Sequence, residues 1–296
     1  MADSHIFQIL THYVRREDLD PGFGIVDNSL NERPDWFEYW PIRRFLLGEA
    51  LDEGAFYGFL SPKFKIKTNL TSVQVSEFIG QCDSKTEVVL FSPSIHIGAQ
   101  FLNVFEHGDA AHPGLLATAK QLLATIGMSV NLDELITDSR TTVYSNYFVA
   151  KPRFWRQWLA LNEQMFAIAE ARRDELGRRL TAATSYRGRT EVQMKVFIME
   201  RMASLILAAD PSFSVQVHNP FVARSRIYKL PLAIISDALK IAYRTQGFGQ
   251  YKEVFLLLRA LRRFWNFQIR VGAWLRVPCI RVHTRRLASY WHGPEH

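Results

Sequence analysis

Ala55-Phe56-Tyr57-Gly58-Phe59-Leu60 is an apolar run that Ser61-Pro62 cuts off, and Val88-Val89-Leu90-Phe91 is a second, cut off by Ser92-Pro93. Runs of this length, closed by a proline that cannot donate a ladder hydrogen bond, read as buried strands. Working outward, residues 6–10, 143–150 and 213–217 also read as strands. Residues 36–51, 72–82, 98–105, 113–126, 152–179 and 190–209 carry helical spacing. Residues 20–34, rich in Asp, Asn, Gly and Pro, read as a loop. Strands alternating with helices predict an α/β fold with a mixed, mainly parallel sheet flanked by helices. Ligands of such sheets bind beyond the carboxyl ends of the strands. The polar loops that leave Ser61-Pro62 and Ser92-Pro93 are therefore where a site is expected.

Positive charge is concentrated at one end of the chain. Residues 224–296 hold 14 Lys and Arg against 3 Asp and Glu, whereas the first 223 residues hold 22 against 26. The sequence thus divides into an acidic-to-neutral body, residues 1–223, and a basic helical tail, residues 224–296. At about 100° per residue, Lys252, Arg259, Arg262, Arg263 and Arg270 share one side of a helix. Val254, Leu257, Leu258, Leu261, Phe264, Trp265, Ile269 and Val271 fill most of the rest, with Phe255 and Trp274 flanking the arginines. Part of that apolar face is expected to pack on the body and part to enter the headgroups of an anionic membrane. A basic tail also suits a nucleic-acid backbone, with Phe264, Trp265, Phe267 and Trp274 available to stack on bases. Leu256, Leu257, Leu258 and Leu261 make a poor nucleic-acid surface and a good lipid-facing one, so lipid is the expected partner and nucleic acid is not.

Several classes drop out. No apolar run reaches the roughly 18 residues a membrane span requires; residues 196–209 are interrupted by Glu200 and Arg201. Residues 1–5 bring no basic segment ahead of an apolar run, so no secretory signal is expected. Cys82 and Cys279 lie too far apart in sequence for a disulfide framework or a zinc cluster, and a reducing compartment is the default. No Walker loop, dinucleotide fingerprint or nucleophile elbow is present.

Four groups of residues carry candidate chemistry. Lys63, Lys65 and Lys67 alternate directly after a strand end, either as a solvated edge or as a cationic cradle for a diphosphate. His107, Asp109 and His112 form either a plain surface loop or a divalent-metal site. Glu200-Arg201 interrupts an apolar helix, where a charge pair is costly unless it is paired or used. It is either a salt bridge at the helix–sheet seam or a carboxylate placed as general base. Tyr39, Trp40, Trp155 and Trp158 read as core aromatics or as ligand platforms.

Four segments together resemble a family. They are Asp27-Asn28 with Asn31-Glu32-Arg33-Pro34 leading into Glu38-Tyr39-Trp40-Pro41-Ile42-Arg43-Arg44; the strand Phe56-Tyr57-Gly58-Phe59; Ser145-Asn146-Tyr147-Phe148-Val149-Ala150-Lys151 with Phe154 and Trp158; and Phe197-Ile198-Met199-Glu200-Arg201-Met202. In order and spacing they resemble glycosyltransferases of the GT-A type found in bacterial capsule, exopolysaccharide and lipopolysaccharide gene clusters. The likeness covers roughly residues 5–220. Where that family has a His-Tyr-Arg-Arg loop after its second strand, this chain has Ser61-Pro62-Lys63-Phe64.

The resemblance implies a GT-A-like, Rossmann-type domain over residues 1–223. Its expected activity is transfer of a sugar from a nucleotide-sugar donor to a lipid-linked acceptor or a growing cell-surface polysaccharide. Glu200 is the expected catalytic base. Asp27, Asn28, Asn31, Glu38, Tyr39, Lys63, Lys65, Asn146 and Arg201 are the expected donor-binding residues. Arg259, Arg262, Arg263 and Arg270 are expected to face the membrane, and the protein to be cytoplasmic and peripheral at the inner membrane. No Asp-x-Asp pair stands out as the metal holder many such enzymes use. Lys63 and Lys65 can neutralise a leaving diphosphate without one. Mg²⁺ or Mn²⁺ stays open as a cofactor, with His107, Asp109 and His112 as ligand candidates. The alternative is a non-catalytic protein, either binding nucleic acid or serving as a scaffold in polysaccharide assembly.

Overall fold

A computed structural model describes residues 3–93, 95–98, 100–186, 189–219, 221 and 230–274, with the backbone alone for residues 95, 185, 186, 189–191 and 263–274. In chain order the elements are β1 (Ser4–Thr11), β2 (Gly24–Asn28), α1 (Tyr39–Gly48), β3 (Phe56–Leu60), α2 (Phe64–Thr68), α3 (Ser72–Gly80), β4 (Val88–Leu90), α4 (Ile95–Gly98), α5 (Val104–Ala111), α6 (Leu115–Thr125), β5 (Phe148–Ala150), α7 (Pro152–Ala171), α8 (Glu175–Thr181), β6 (Ala183–Tyr186), β7 (Arg189–Gln193), α9 (Met194–Ala209), β8 (Val215–Val217), α10 (Leu230–Gln246) and α11 (Gly249–Trp274).

The main sheet has the order β2-β1-β3-β5-β4-β8. β1 pairs parallel with β2 and β3, β4 pairs parallel with β8, and β5 alone runs against its neighbours β3 and β4. This is a mixed, mostly parallel sheet flanked by helices. β6 and β7 form a separate antiparallel pair. β3, β4 and β5 are buried along their whole length, as central strands covered on both faces must be. Gly58 lets β3 and β5 approach: a Cβ there would stand 2.7 Å from Val149 Cγ2. The chain goes from β1 to β2 on one side and then to β3 on the other, so its order reverses across β1. A crevice opens beyond the strand ends at such a reversal.

α7 lays Phe154, Trp155, Trp158, Leu161 and Met165 against the sheet, and α9 is buried on nearly every side. Trp155 donates its indole N–H to Tyr57 O at 2.9 Å, which ties α7 to β3. Among the described residues no helix is long and apolar enough to cross a membrane.

Several elements differ from the sequence expectation for local reasons. Within the expected loop 20–34, Gly24–Asn28 is strand β2, whose turn-forming composition hides an edge strand. The helix expected over 98–105 lies later, because the Asn103 side chain accepts from Phe105 N and Glu106 N and starts α5 there. Of residues 143–150 only the last three are strand, because Ser145 and Asn146 take left-handed backbone angles, φ 62 and 54. The helix expected over 152–179 breaks at Arg172, φ 49, and restarts with Asp174 accepting from Gly177 N at 2.8 Å. Thr190 and Val192, expected in a helix, lie in β7.

The chain forms two compact units, Met1–Ile241 and Ala242–His296. The boundary drawn from sequence between residues 223 and 224 falls outside the described residues. In the first unit α10 buries Ala233, Ser236, Asp237 and Lys240. Asp237 accepts from Ser139 N at 2.7 Å, and the Lys240 ammonium donates to Gly98 O at 2.7 Å and Thr137 O at 3.2 Å. In the second unit, α11 buries Phe255, which the sequence placed at the headgroups. Among its described side chains, Val254, Leu257 and Leu261 are the exposed large apolar ones.

Candidate active site

The segment 143–147 is the hub of the site, and both Ser-Pro strand ends hold it. Ser61, buried at the end of β3, places its hydroxyl 2.6 Å from the Tyr147 hydroxyl. Ser92, just past β4, accepts from Tyr144 N at 2.7 Å, and Ser204 of α9 accepts from Val143 N at 2.8 Å. Phe64, the first residue of α2, packs its ring edge-on to Tyr147 at 5.0 Å between centroids. That contact brings α2 over the hub. Lys67, one turn on, donates to Ser145 Oγ at 2.8 Å and lies 5.4 Å from the Tyr147 ring centre.

The two left-handed residues, Ser145 and Asn146, store backbone strain of the kind found where side chains are held for a purpose. Asn146 is 2% exposed. Its amide N–H lies 3.9 Å from Met199 Sδ, its side chain favours the ionised form of Glu38, and its Oδ1 is buried without a partner.

Glu38, just before α1, and Glu200, in α9, arrive from distant parts of the chain, and the charge of Glu200 reaches Glu38. Both are partly buried. Burial first, then the charge of Glu200, pushes the Glu38 carboxyl up to about 7, against Lys67, Asn146 and Lys63. Burial also raises Glu200, against Arg201 and Lys67. Burial, with Glu38, Glu200 and Tyr13 adding to it and Ser61 opposing, raises the Tyr147 hydroxyl. Two carboxyls that resist ionisation, two ammonium groups and an amide with an open oxygen can take a proton from a hydroxyl and neutralise a phosphate.

Four of the residues expected from sequence therefore meet here: Glu38, Lys63, Asn146 and Glu200. The others have different partners. α2 is helical, so Lys65 points away from Lys63 and Lys67, and its charge reaches Asp20. Asp27 accepts from Ser29 N at 2.8 Å, and Asn28 O accepts from Asn31 N at 3.1 Å, closing a turn beyond β2. Tyr39 is fully buried among Trp36, Trp158 and Phe166, and its hydroxyl donates to Glu163. Arg201 is buried and donates to Phe197 O and to Val104 O, the latter at 2.8 Å. Its guanidinium joins α5 to α9.

The metal candidates diverge too. His107 packs against Phe101 and Tyr144, and burial first, then Arg201 and His112, lowers it to about 4. Asp109 accepts from Gly114 N and Leu116 N at 3.0 and 3.1 Å, and His112 stacks on Phe197 at 3.6 Å. Asp18 and Asp20 have Asp-x-Asp spacing that the sequence reading passes over. Asp18 is held by Arg15, and Asp20 accepts from Gly22 N and from the Ser72 amide and hydroxyl. Among the described residues no group of three or more His, Cys, Asp or Glu is placed to hold a metal ion.

Sequence reasoning set Lys67 aside in favour of Lys65 and missed Tyr147 and Ser61. An i, i+4 reading of residues 63–68 would have paired Lys63 with Lys67. On α11, Arg259 lies over Phe255 at 5.9 Å, and the side chains of Arg263 and Arg270 are outside the described ones. Compared with known proteins, the chain matches no family model, no curated sequence and no solved structure.

Proposed function

We propose that the chain is a glycosyltransferase of the GT-A type that moves a sugar from a nucleotide-sugar donor to a lipid-linked or growing polysaccharide acceptor. The observation that carries this reading is the meeting of Glu38, Glu200, Asn146, Lys63 and Lys67 beyond the carboxyl ends of β1 and β3, where the chain order reverses. In an inverting reaction the acceptor oxygen bonds to the anomeric carbon as the bond from that carbon to the diphosphate breaks. The electron pair leaves with the diphosphate, and Glu200 takes the acceptor proton. Lys63 and Lys67 neutralise the charge that develops on the leaving group. In a retaining reaction Glu200 positions the acceptor instead.

The basic second unit supports work at the inner face of a membrane. Val254, Leu257 and Leu261 are exposed on α11, the helix that also carries Arg259, Arg262, Arg263 and Arg270. The test is an incubation of the full chain with a panel of nucleotide sugars and glycan or lipid-linked acceptors. Free nucleoside diphosphate and glycosylated product should appear together with wild type and be nearly absent with Glu200→Gln. If no nucleotide sugar is bound or consumed, a non-catalytic scaffold role replaces this reading.

A further inference from the structure

The two Ser-Pro strand ends grip a four-residue turn, Tyr144 to Tyr147, from both sides. Ser92 Oγ accepts from Tyr144 N at 2.7 Å, and the Ser61 hydroxyl lies 2.6 Å from that of Tyr147. Tyr147 N donates to Tyr144 O at 3.3 Å, and the central residues Ser145 and Asn146 have φ 62 and 54. Turns with both central residues left-handed favour Gly, Asn and Asp, so a serine stands there against its backbone preference. The turn hydrogen bond uses neither central N–H. Among the described residues, neither the Ser145 N–H nor the Asn146 N–H meets an acceptor.

The side chains add to this. Lys67, on α2, donates to Ser145 Oγ at 2.8 Å. A hydroxyl whose oxygen accepts from an ammonium turns its own hydrogen elsewhere. The turn thus presents one O–H and two N–H groups, all donors, beside a positive charge. Ser145 is half-buried and Lys67 is exposed, so a ligand from solvent can reach them. Asn146 is 2% exposed and its Oδ1 has no partner, which costs free energy unless something bonds it. The carboxyls that the Lys67 charge reaches are Glu38 and Glu200. Burial makes both hold their protons more tightly than usual, which lessens their repulsion of an anion.

We propose that the turn from Tyr144 to Tyr147 is a cradle for a diphosphate group, with Ser145 donating to a phosphate oxygen through its hydroxyl and its N–H. Several fixed donors beside one ammonium suit an anion with several acceptor oxygens better than a neutral sugar. The Asn146 Oδ1 remains for a hydroxyl of the sugar attached to that diphosphate. The role also accounts for a serine at a left-handed position: glycine would relax the backbone there but lacks the hydroxyl that Lys67 orients.

That the diphosphate belongs to a nucleotide sugar rests on the glycosyltransferase reading, but the cradle is testable without it, with inorganic pyrophosphate as the probe. Full-length wild type should bind pyrophosphate in a calorimetric titration. The amide ¹H–¹⁵N signals of Ser145 and Asn146 should shift as it is added. Ser145→Gly keeps a backbone that tolerates positive φ and removes the hydroxyl. It should weaken pyrophosphate binding by roughly 10- to 100-fold, the range for a hydrogen bond to a charged group. If the variant does not fold, the wild-type amide shifts decide. No pyrophosphate binding at millimolar concentration, unmoved Ser145 and Asn146 amides, or equal affinity in Ser145→Gly overturns the cradle. Pyrophosphate binding at the turn of a protein that transfers no sugar keeps the cradle and overturns the glycosyltransferase reading. Sugar transfer with wild-type donor affinity in Ser145→Gly does the reverse.

Discussion

Glu200 is the one partly exposed residue in a stretch of α9 whose neighbours on both sides are buried. A carboxylate kept there, with an opening to solvent and Lys67 nearby, is placed to act on a bound hydroxyl. Glu200→Gln should fold, bind donor and lose about 100- to 10,000-fold in turnover, the usual contribution of a general base. A variant at near wild-type rate would remove the assignment, and one that unfolds would make Glu200 a structural partner of Arg201. The lysines give a sharper contrast. Lys67→Ala and Lys63→Ala should each weaken nucleoside diphosphate binding by roughly 1.5–3 kcal/mol, the range for hydrogen bonds to charged groups. Lys65→Ala, whose charge faces Asp20, should leave it unchanged in the same calorimetric titration. Glu38, Asn146, Lys63 and Glu200 were legible in the sequence because each sits in a short polar island between apolar runs. Tyr39 and Arg201 stand in the same islands yet turn inward, since a one-residue step along a helix rotates a side chain by about 100°.

At the scale of elements, the strands that frame the site were legible because their ends are sharp. Ser61-Pro62 and Ser92-Pro93 stop β3 and β4, and their serines then hold Tyr147 and Tyr144. Elements whose start or stop depends on partners elsewhere were not legible. β2 is defined by pairing with β1, β7 by pairing with β6, and the 145–146 kink by what it holds. The α5–α9 contact yields a test of its own. A Cβ at Gly108 would stand 2.4 Å from Arg201 Nε, and that guanidinium is fixed by two carbonyls. Gly108→Ala should therefore lower stability by about 1–3 kcal/mol in chemical denaturation, as overpacking does. An unchanged midpoint would show that Arg201 can move aside freely.

For the whole molecule, Glu38 couples stability to pH. Its carboxyl holds a proton more tightly in the folded chain, at about 7, than at its ordinary value of 4.5. Its contribution is therefore fully present below about pH 4.5 and is lost as pH rises through about 7. Glu38→Gln should raise the melting temperature at pH 8 and leave it nearly unchanged at pH 4; an equal change at both would mean that charge is not the cause. The asymmetric charge of the chain was legible from composition alone, and the burial of Phe255 was not, because helical periodicity does not say which apolar residues find a cover. Each basic residue near an anionic surface contributes about 1 kcal/mol. The protein should sediment with anionic vesicles, not with zwitterionic ones, and high salt should release it. Replacing Arg259, Arg262, Arg263 and Arg270 by Glu should abolish that binding. Equal binding to both vesicle types, or to neither, would assign the second unit to another partner.

The cluster beyond β1 and β3 is expected to bind a nucleoside-diphosphate sugar. A ligand that binds the native state raises the melting temperature in proportion to occupancy. The direct measurement is a thermal-shift panel of nucleoside diphosphates and their sugars on wild type and on the Lys63→Ala/Lys67→Ala double variant. One base and its sugar should raise the melting temperature of wild type, and the double variant should lose most of that rise. A panel with no response, or a rise that survives loss of both lysines, would show that the cluster is not a nucleotide-sugar site.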